Sequence, residues 1–178
     1  MKTETKWIIL GIITSECKTG YDIKNLIDAS FSHFWKMSYG QIYPALKTLV
    51  EDGYATQSVI KADGTPERKE YTITTAGKKK LKEWLTTPVN ETVVMRNELL
   101  VKLFFGLEMQ REQALAHLDK QEQMLSEKLE VYHTIEENIQ THNDSEFWLY
   151  TLNYGKEIAQ AELRWCQKTK ESIQCKSE

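Results

Sequence analysis

Glu130 and His133 stand at the E-x-x-H spacing that turns a carboxylate and an imidazole to one side of a helix, as in half of a di-iron site. Such a site needs a second copy and further carboxylates at matching positions, and the sequence holds neither. His33, His117 and His142 are scattered, and Cys17, Cys166 and Cys175 form no C-x-x-C pair and cannot pair off completely. There is no glycine-rich phosphate loop, no H-E-x-x-H and no nucleophile elbow. These residues predict no metal, no cofactor, no disulfide framework and no enzyme, and the free thiols suit a reducing cytoplasm.

A different chemistry is concentrated between Ser38 and Lys47. Tyr39, Gln41, Tyr43 and Lys47 are polar-tipped and lie off the apolar face formed by Ile42, Leu46, Leu49 and Val50. Their spacing predicts a helix over Tyr39 to Glu51. Ser38 is its N-cap, Gln41 completes an S-x-x-Q capping box, and Asp52-Gly53 is the stop. Pro44 stands in the second turn, where a proline removes a ladder hydrogen bond and clashes with the carbonyl four residues back, at about 3 kcal/mol. A residue kept at that expense asks for a reason outside the helix or a deliberate bend within its core side.

The elements that must position this stretch follow from period and punctuation. Lys6 to Ile13 reads as a buried first helix. Its run "WIILGIIT" is far too short to span a bilayer, and "SECKTG" is wrong for a signal-peptide cleavage site. Tyr21 to Phe31 is a second helix, with Thr19 as N-cap and Asp22 in its first turn. After Gly53 the pattern becomes β-rich: "YATQSVIK" and "KEYTITT" flank an Asp63-Gly64 turn signal, which predicts a hairpin. "TTAGKKKLKEWL" is a further helix ended by Pro88. Helix, helix, helix, hairpin, helix is the order of a winged helix-turn-helix.

The chain has 178 residues, 40% of them hydrophobic and 28% charged, which suits an ordinary globular protein of one or two small domains. Its net charge of −3 is unevenly spread. Residues 1–87 hold 13 Lys/Arg against 10 Asp/Glu, net +3, whereas residues 88–178 hold 10 against 16, net −6. Only the first half is suited to a polyanionic partner.

"GYDI" at Gly20 to Ile23, "FWKMSYGQIYPALKTLVEDGY" at Phe34 to Tyr54 and "ERKEYTITTAGKKKLKEWL" at Glu67 to Leu85 resemble the PadR family of bacterial transcriptional regulators. The resemblance implies a mainly α fold with a small hairpin: a winged helix-turn-helix domain over 1–87 and a helical dimerisation domain over 88–178. It makes the helix after Ser38 the recognition helix, so that Ser38, Tyr39, Gln41, Tyr43, Pro44 and Lys47 are its candidate DNA contacts. A bend above Gly40 would let Tyr43 and Pro44 lie against thymine methyls. Lys61, Arg68 and Lys69 surround the hairpin tip, where a wing meets the DNA backbone; as single charges they are equally readable as solvated surface. Ser38 also reads as a cap alone, and Lys78, Lys79 and Lys80 as a wet helix face.

Beyond the short connection "PVNETVVM", the run "RNELLVKLFFGLE" starts a second helical half. From Met109 to Gln140, Leu118, Leu125, Tyr132 and Ile139 fall seven apart, with Leu115 and Leu129 between them. Glu122 and Glu136 interrupt this seam, which predicts packing in a dimer rather than a long free coiled coil. A last helix runs from about Ser145 to Ser172. "RNELLVKLFFGLE" and "YGKEIAQAELRWCQ" are similar to the family's C-terminal pattern, and the family implies a homodimer on a near-palindromic operator, most often a repressor. It also implies a small aromatic or phenolic effector, for which Trp7, Trp148, Tyr150, Tyr154 and Trp165 are candidate contacts; taken singly, each of these rings reads first as core or interface packing. The competing expectation is a ligand or multidrug sensor, or a protein-interaction module, with the winged-helix shape and no operator.

Overall fold

The computed structural model describes residues 3–31, 34–60, 67–90, 96–139 and 145–175. The chain divides into two compact units, Met1–Glu91 and Thr92–Glu178.

In the first unit, α1 (Thr3–Ile12), α2 (Gly20–Leu26) and α3 (Tyr39–Glu51) precede strands β1 (Ala55–Ile60) and β2 (Arg68–Ile73), and α4 (Thr75–Thr86) closes the unit. The helix α1 starts and stops earlier than its apolar run suggests. Its last carbonyls are taken by side chains, Thr14 Oγ1 donating to Gly11 O and Ser15 Oγ to Ile12 O, both at 2.7 Å. At α2 Thr19 forms a reciprocal box with Asp22. Beyond Leu26 the helix widens into a π-turn over Ile27–Phe31. The widening is invisible in the hydrophobic spacing because Ile23 and Ile27 remain buried together.

Ile9, Leu10, Ile23, Ile27, Ile42, Leu46 and Leu49 are fully buried and meet in one core. Each such side chain contributes about 1.5–3 kcal/mol by leaving water. The strands pair antiparallel, Ala55 opposite Ile73 and Ile60 opposite Arg68. The Asp63-Gly64 turn expected between them, and Lys61, lie outside the described residues. The hairpin is stitched to the turn before α2: Tyr71 N–H donates to Lys18 O at 2.9 Å, and Thr19 bridges Glu70. Thr74 joins it to α4, accepting from Gly77 N–H at 3.0 Å and donating to Gly53 O at 2.8 Å. Gly77 is required there, since a Cβ would lie 2.1 Å from Tyr54 O.

In the second unit, α5 (Glu98–Phe104) and a 3₁₀ turn (Gly106–Glu108) lead into α6 (Arg111–Ile139) and α7 (Ser145–Cys175). The two long helices pack antiparallel. Leu118, Leu125 and Tyr132 of α6 are buried with Leu152, Ala159 and Cys166 of α7, and burial raises the Cys166 thiol pKa, with the Glu122 charge adding to it. This corrects the expectation that the α6 seam faces another copy: the chain's own α7 covers it. The two carboxylates that interrupt the seam are matched within the chain. Glu136 accepts from Lys156 Nζ at 2.7 Å, and Glu122 from Lys170 Nζ at 2.7 Å, with Asp119 a second partner of Lys170. Gly155 lets α7 approach, since a Cβ would meet the Tyr132 hydroxyl at 2.9 Å.

Candidate nucleic-acid interface

The two faces of α3 have different occupations. Ile42, Ala45, Leu46 and Leu49 are buried, so the orientation of the helix is fixed by the core. Ser38, Tyr39, Gly40, Gln41, Tyr43, Pro44 and Lys47 are all exposed on its other side. Every recognition-helix residue expected from sequence is therefore placed on one accessible surface.

Within that surface the geometry is defined. Ser38 N–H donates to Gln41 Oε1 at 3.0 Å, and the Ser38 hydroxyl approaches the same oxygen at 3.4 Å. Tyr39 and Tyr43, one turn apart, stack with ring centroids 6.1 Å apart and an interplanar angle of 20°. Lys24 Nζ, from α2, lies 6.0 Å from the Tyr39 centroid and also pairs with Asp28. Tyr43 rests on Gly20, where a Cβ would come within 2.7 Å of its ring. Burial raises the Tyr71 pKa, and Tyr43 adds to the shift. Pro44 is exposed while its neighbours Ala45 and Leu46 are buried, and α3 continues through it; its carbonyl accepts from Thr48 Oγ1 at 3.0 Å. Lys47 extends into solvent, 3.6 Å from Glu51.

Arg68 and Lys69 are exposed at the tip end of β2, opposite Ile60 and Val59. Neighbours on a strand point to opposite faces, so the two do not form one patch. Of the lysine run, Lys80 pairs with Glu83 at 2.8 Å, while Lys78 and Lys79 are exposed. The contacts of Gly20 with the Tyr43 ring and of Lys24 with the Tyr39 ring were not legible in sequence, because neither residue lies on α3 and nothing in their spacing refers to it.

The aromatic candidates are less coherent. Trp7 is buried in the first core beside Tyr54, at a centroid distance of 6.0 Å, with Lys6 Nζ 4.5 Å from its ring centroid. Trp148, Tyr150, Tyr154 and Trp165 are exposed on α7, and Tyr150 donates to Glu146 at 2.6 Å. An open depression of about 410 Å³ is lined by Lys102, Met109, Gln113, Ala116 and His117, and one of about 470 Å³ by residues around Cys17 and Asp22; none of the five aromatic residues lines either. Of the E-x-x-H pair, His133 faces Glu136 instead, at 3.7 Å. No group of three His, Cys, Asp or Glu suited to a metal ion occurs among the described residues.

Three core helices, a hairpin stitched to them and an exposed polar row on the third helix define a winged helix-turn-helix. Residues 9–83 match the transcriptional regulator PadR-like family, and residues 95–174 match the virulence activator alpha C-terminal family. Over its first unit the chain is thus similar to the PadR-like family. It is 34% identical over 111 residues to the negative transcriptional regulator PadR of Bacillus subtilis, a span of 61% of this chain and 60% of that protein, under two thirds of its length. Among solved structures, it is similar to Bacillus subtilis PadR in complex with operator DNA (TM-score 0.85, 26% identity, covering 94% of this chain and 98% of that one). It is also similar to Bacillus subtilis PadR in complex with p-coumaric acid (TM-score 0.78, 25% identity, covering 95% and 98%).

Proposed function

We propose that this protein is a cytoplasmic, non-enzymatic transcriptional repressor that binds a near-palindromic operator as a homodimer. The observation that carries the proposal is the exposed row of polar and aromatic side chains on the first turns of α3, on a helix whose opposite face is locked in the core. Residues 1–87 are the DNA-binding part. Ser38, Tyr39, Gln41, Tyr43, Pro44 and Lys47 enter the major groove, Arg68 and Lys69 meet the backbone from opposite faces of the wing, and Lys61 is a third backbone contact expected from the sequence.

Residues 88–178 serve dimerisation. Phe104, Phe105 and Leu107 at the end of α5, and Phe147, Tyr154, Ile158 and Trp165 along α7, are exposed apolar side chains, and a second copy is the natural cover for such surfaces. A two-fold dimer places two recognition helices about 34 Å apart, one turn of DNA. The relatives' association with operator DNA and p-coumaric acid supports the operator and a small phenolic effector as partners.

The test is selection of duplexes from a randomised library by the full-length protein, followed by a salt titration. A two-fold symmetric consensus, with affinity falling steeply as salt rises, is expected. Charge-neutral replacement of Lys47, Arg68 and Lys69 together should flatten that dependence. Recovery of no consensus moves the ligand-sensor reading to first place.

A further inference from the structure

Glutamine normally reads adenine with two hydrogen bonds, its carbonyl accepting from N6 and its amide donating to N7. In Gln41 the carbonyl is already in use. Ser38 N–H can only donate, so the atom 3.0 Å from it is the oxygen, and the Ser38 hydroxyl lies 3.4 Å from the same atom. Oε1 is thus turned toward the cap and engaged there. The two N–H groups of Nε2 have no partner among the described residues, and the residue is exposed on the face of α3 assigned to DNA.

We infer that Gln41 reads DNA as a donor only: it selects a base-edge acceptor in the major groove (guanine O6 or N7, thymine O4, or adenine N7) and does not make the paired adenine contact. The cap that starts α3 therefore also sets a specificity. The inference rests on the DNA-binding reading above and names the chemistry of one of its contacts. Breaking the cap to free the carbonyl would leave Ser38 N–H without its partner at the helix start, a loss the bound state has to recover elsewhere.

The discriminating variant is Gln41→Glu, because a glutamate at this position preserves the capping box and suits the positive end of the helix. It keeps the acceptor for Ser38 and exchanges the donors for an acceptor. With the duplex selected by the wild-type protein as probe, Gln41→Glu should keep its melting temperature and bind about tenfold or more weakly. Reselection should change one base pair in each half-site toward cytosine N4 or adenine N6, and leave the other positions as they were. Equal affinity for the original duplex would overturn the inference, as would a uniform loss with no change of consensus, which marks a backbone contact. The wild-type protein on duplexes with 7-deazapurines, 6-thioguanine or 4-thiothymine substituted singly, which together change N7, guanine O6 and thymine O4, gives a check without a variant. Loss at no single position overturns the inference, and failure of the wild type to select any duplex overturns the DNA-binding reading instead.

Discussion

Tyr43 is held in place by a missing side chain. A Cβ at Gly20 would lie 2.7 Å from its ring, so Gly20→Ala must displace the ring or the start of α2. The ring is exposed and free to swing outward. The expected result is a loss of operator affinity of about tenfold with melting within a few degrees of wild type; unchanged affinity would remove Tyr43 from the DNA contacts. Pro44→Ala restores the N–H that Gly40 O lacks as a ladder partner, so stability should hold or rise while affinity falls. Unfolding and binding titrations of the same variant decide it, and a large stability loss with unchanged affinity would make Pro44 a purely structural residue. The polar row was legible in sequence because the capping box fixes the helix start and the 3.6-residue period fixes its faces. The Tyr43 seat was not, since it depends on a contact between residues on different helices and on the direction of one ring.

At the scale of elements, α3, both strands and the long helices were legible from caps, alternation and spacing. The partner of the α6 seam was not. A seven-residue repeat shows that an apolar stripe must be covered, without saying by what, and the lysines that answer Glu136 and Glu122 lie 20 and 48 residues further on. These clamps make a stability prediction. Lys170→Met leaves Glu122 with one buried oxygen already lacking a partner among the described residues, and should lower the melting temperature. Replacing both, as Glu122→Leu with Lys170→Met, should recover most of the loss, because an apolar pair of similar volume removes the desolvated charge as well. The pH dependence has a definite sign. The hydrogen bond from Lys156 holds the Glu136 carboxyl below its ordinary 4.5, so its contribution is complete above that value and disappears as pH falls through the lower folded value. Hydrogen bonds to Asp119 and Glu122 raise the Lys170 pKa, so the lysine's own contribution is complete below 10.5 and is lost as pH rises past its higher folded value. The melting difference between wild type and Glu136→Gln should therefore be constant at neutral pH and shrink below about pH 4.5; a difference that persists in acid would assign the effect to packing.

For the whole molecule, the division into a basic first half and an acidic second half was readable from charge counts, and the fold order from punctuation. The surfaces left apolar were not, because exposure depends on which face of each helix its neighbours cover. Leu107 is fully exposed and Phe104 is 83% exposed. If these residues are the seat of a second copy, Phe104→Glu with Leu107→Glu should yield a folded monomer by sedimentation, with operator affinity reduced at least a hundredfold as the second half-site is lost. A dimer that survives both charges would place the interface on α7 alone. The most direct test of the account is a footprint of the full-length protein, with excess unrelated competitor DNA, on the DNA flanking its own coding region and on duplexes selected from a random library. The account predicts protection of two symmetric half-sites about 10 base pairs apart, abolished by Tyr43→Ala. Binding that shows no sequence preference and disappears with competitor would contradict it.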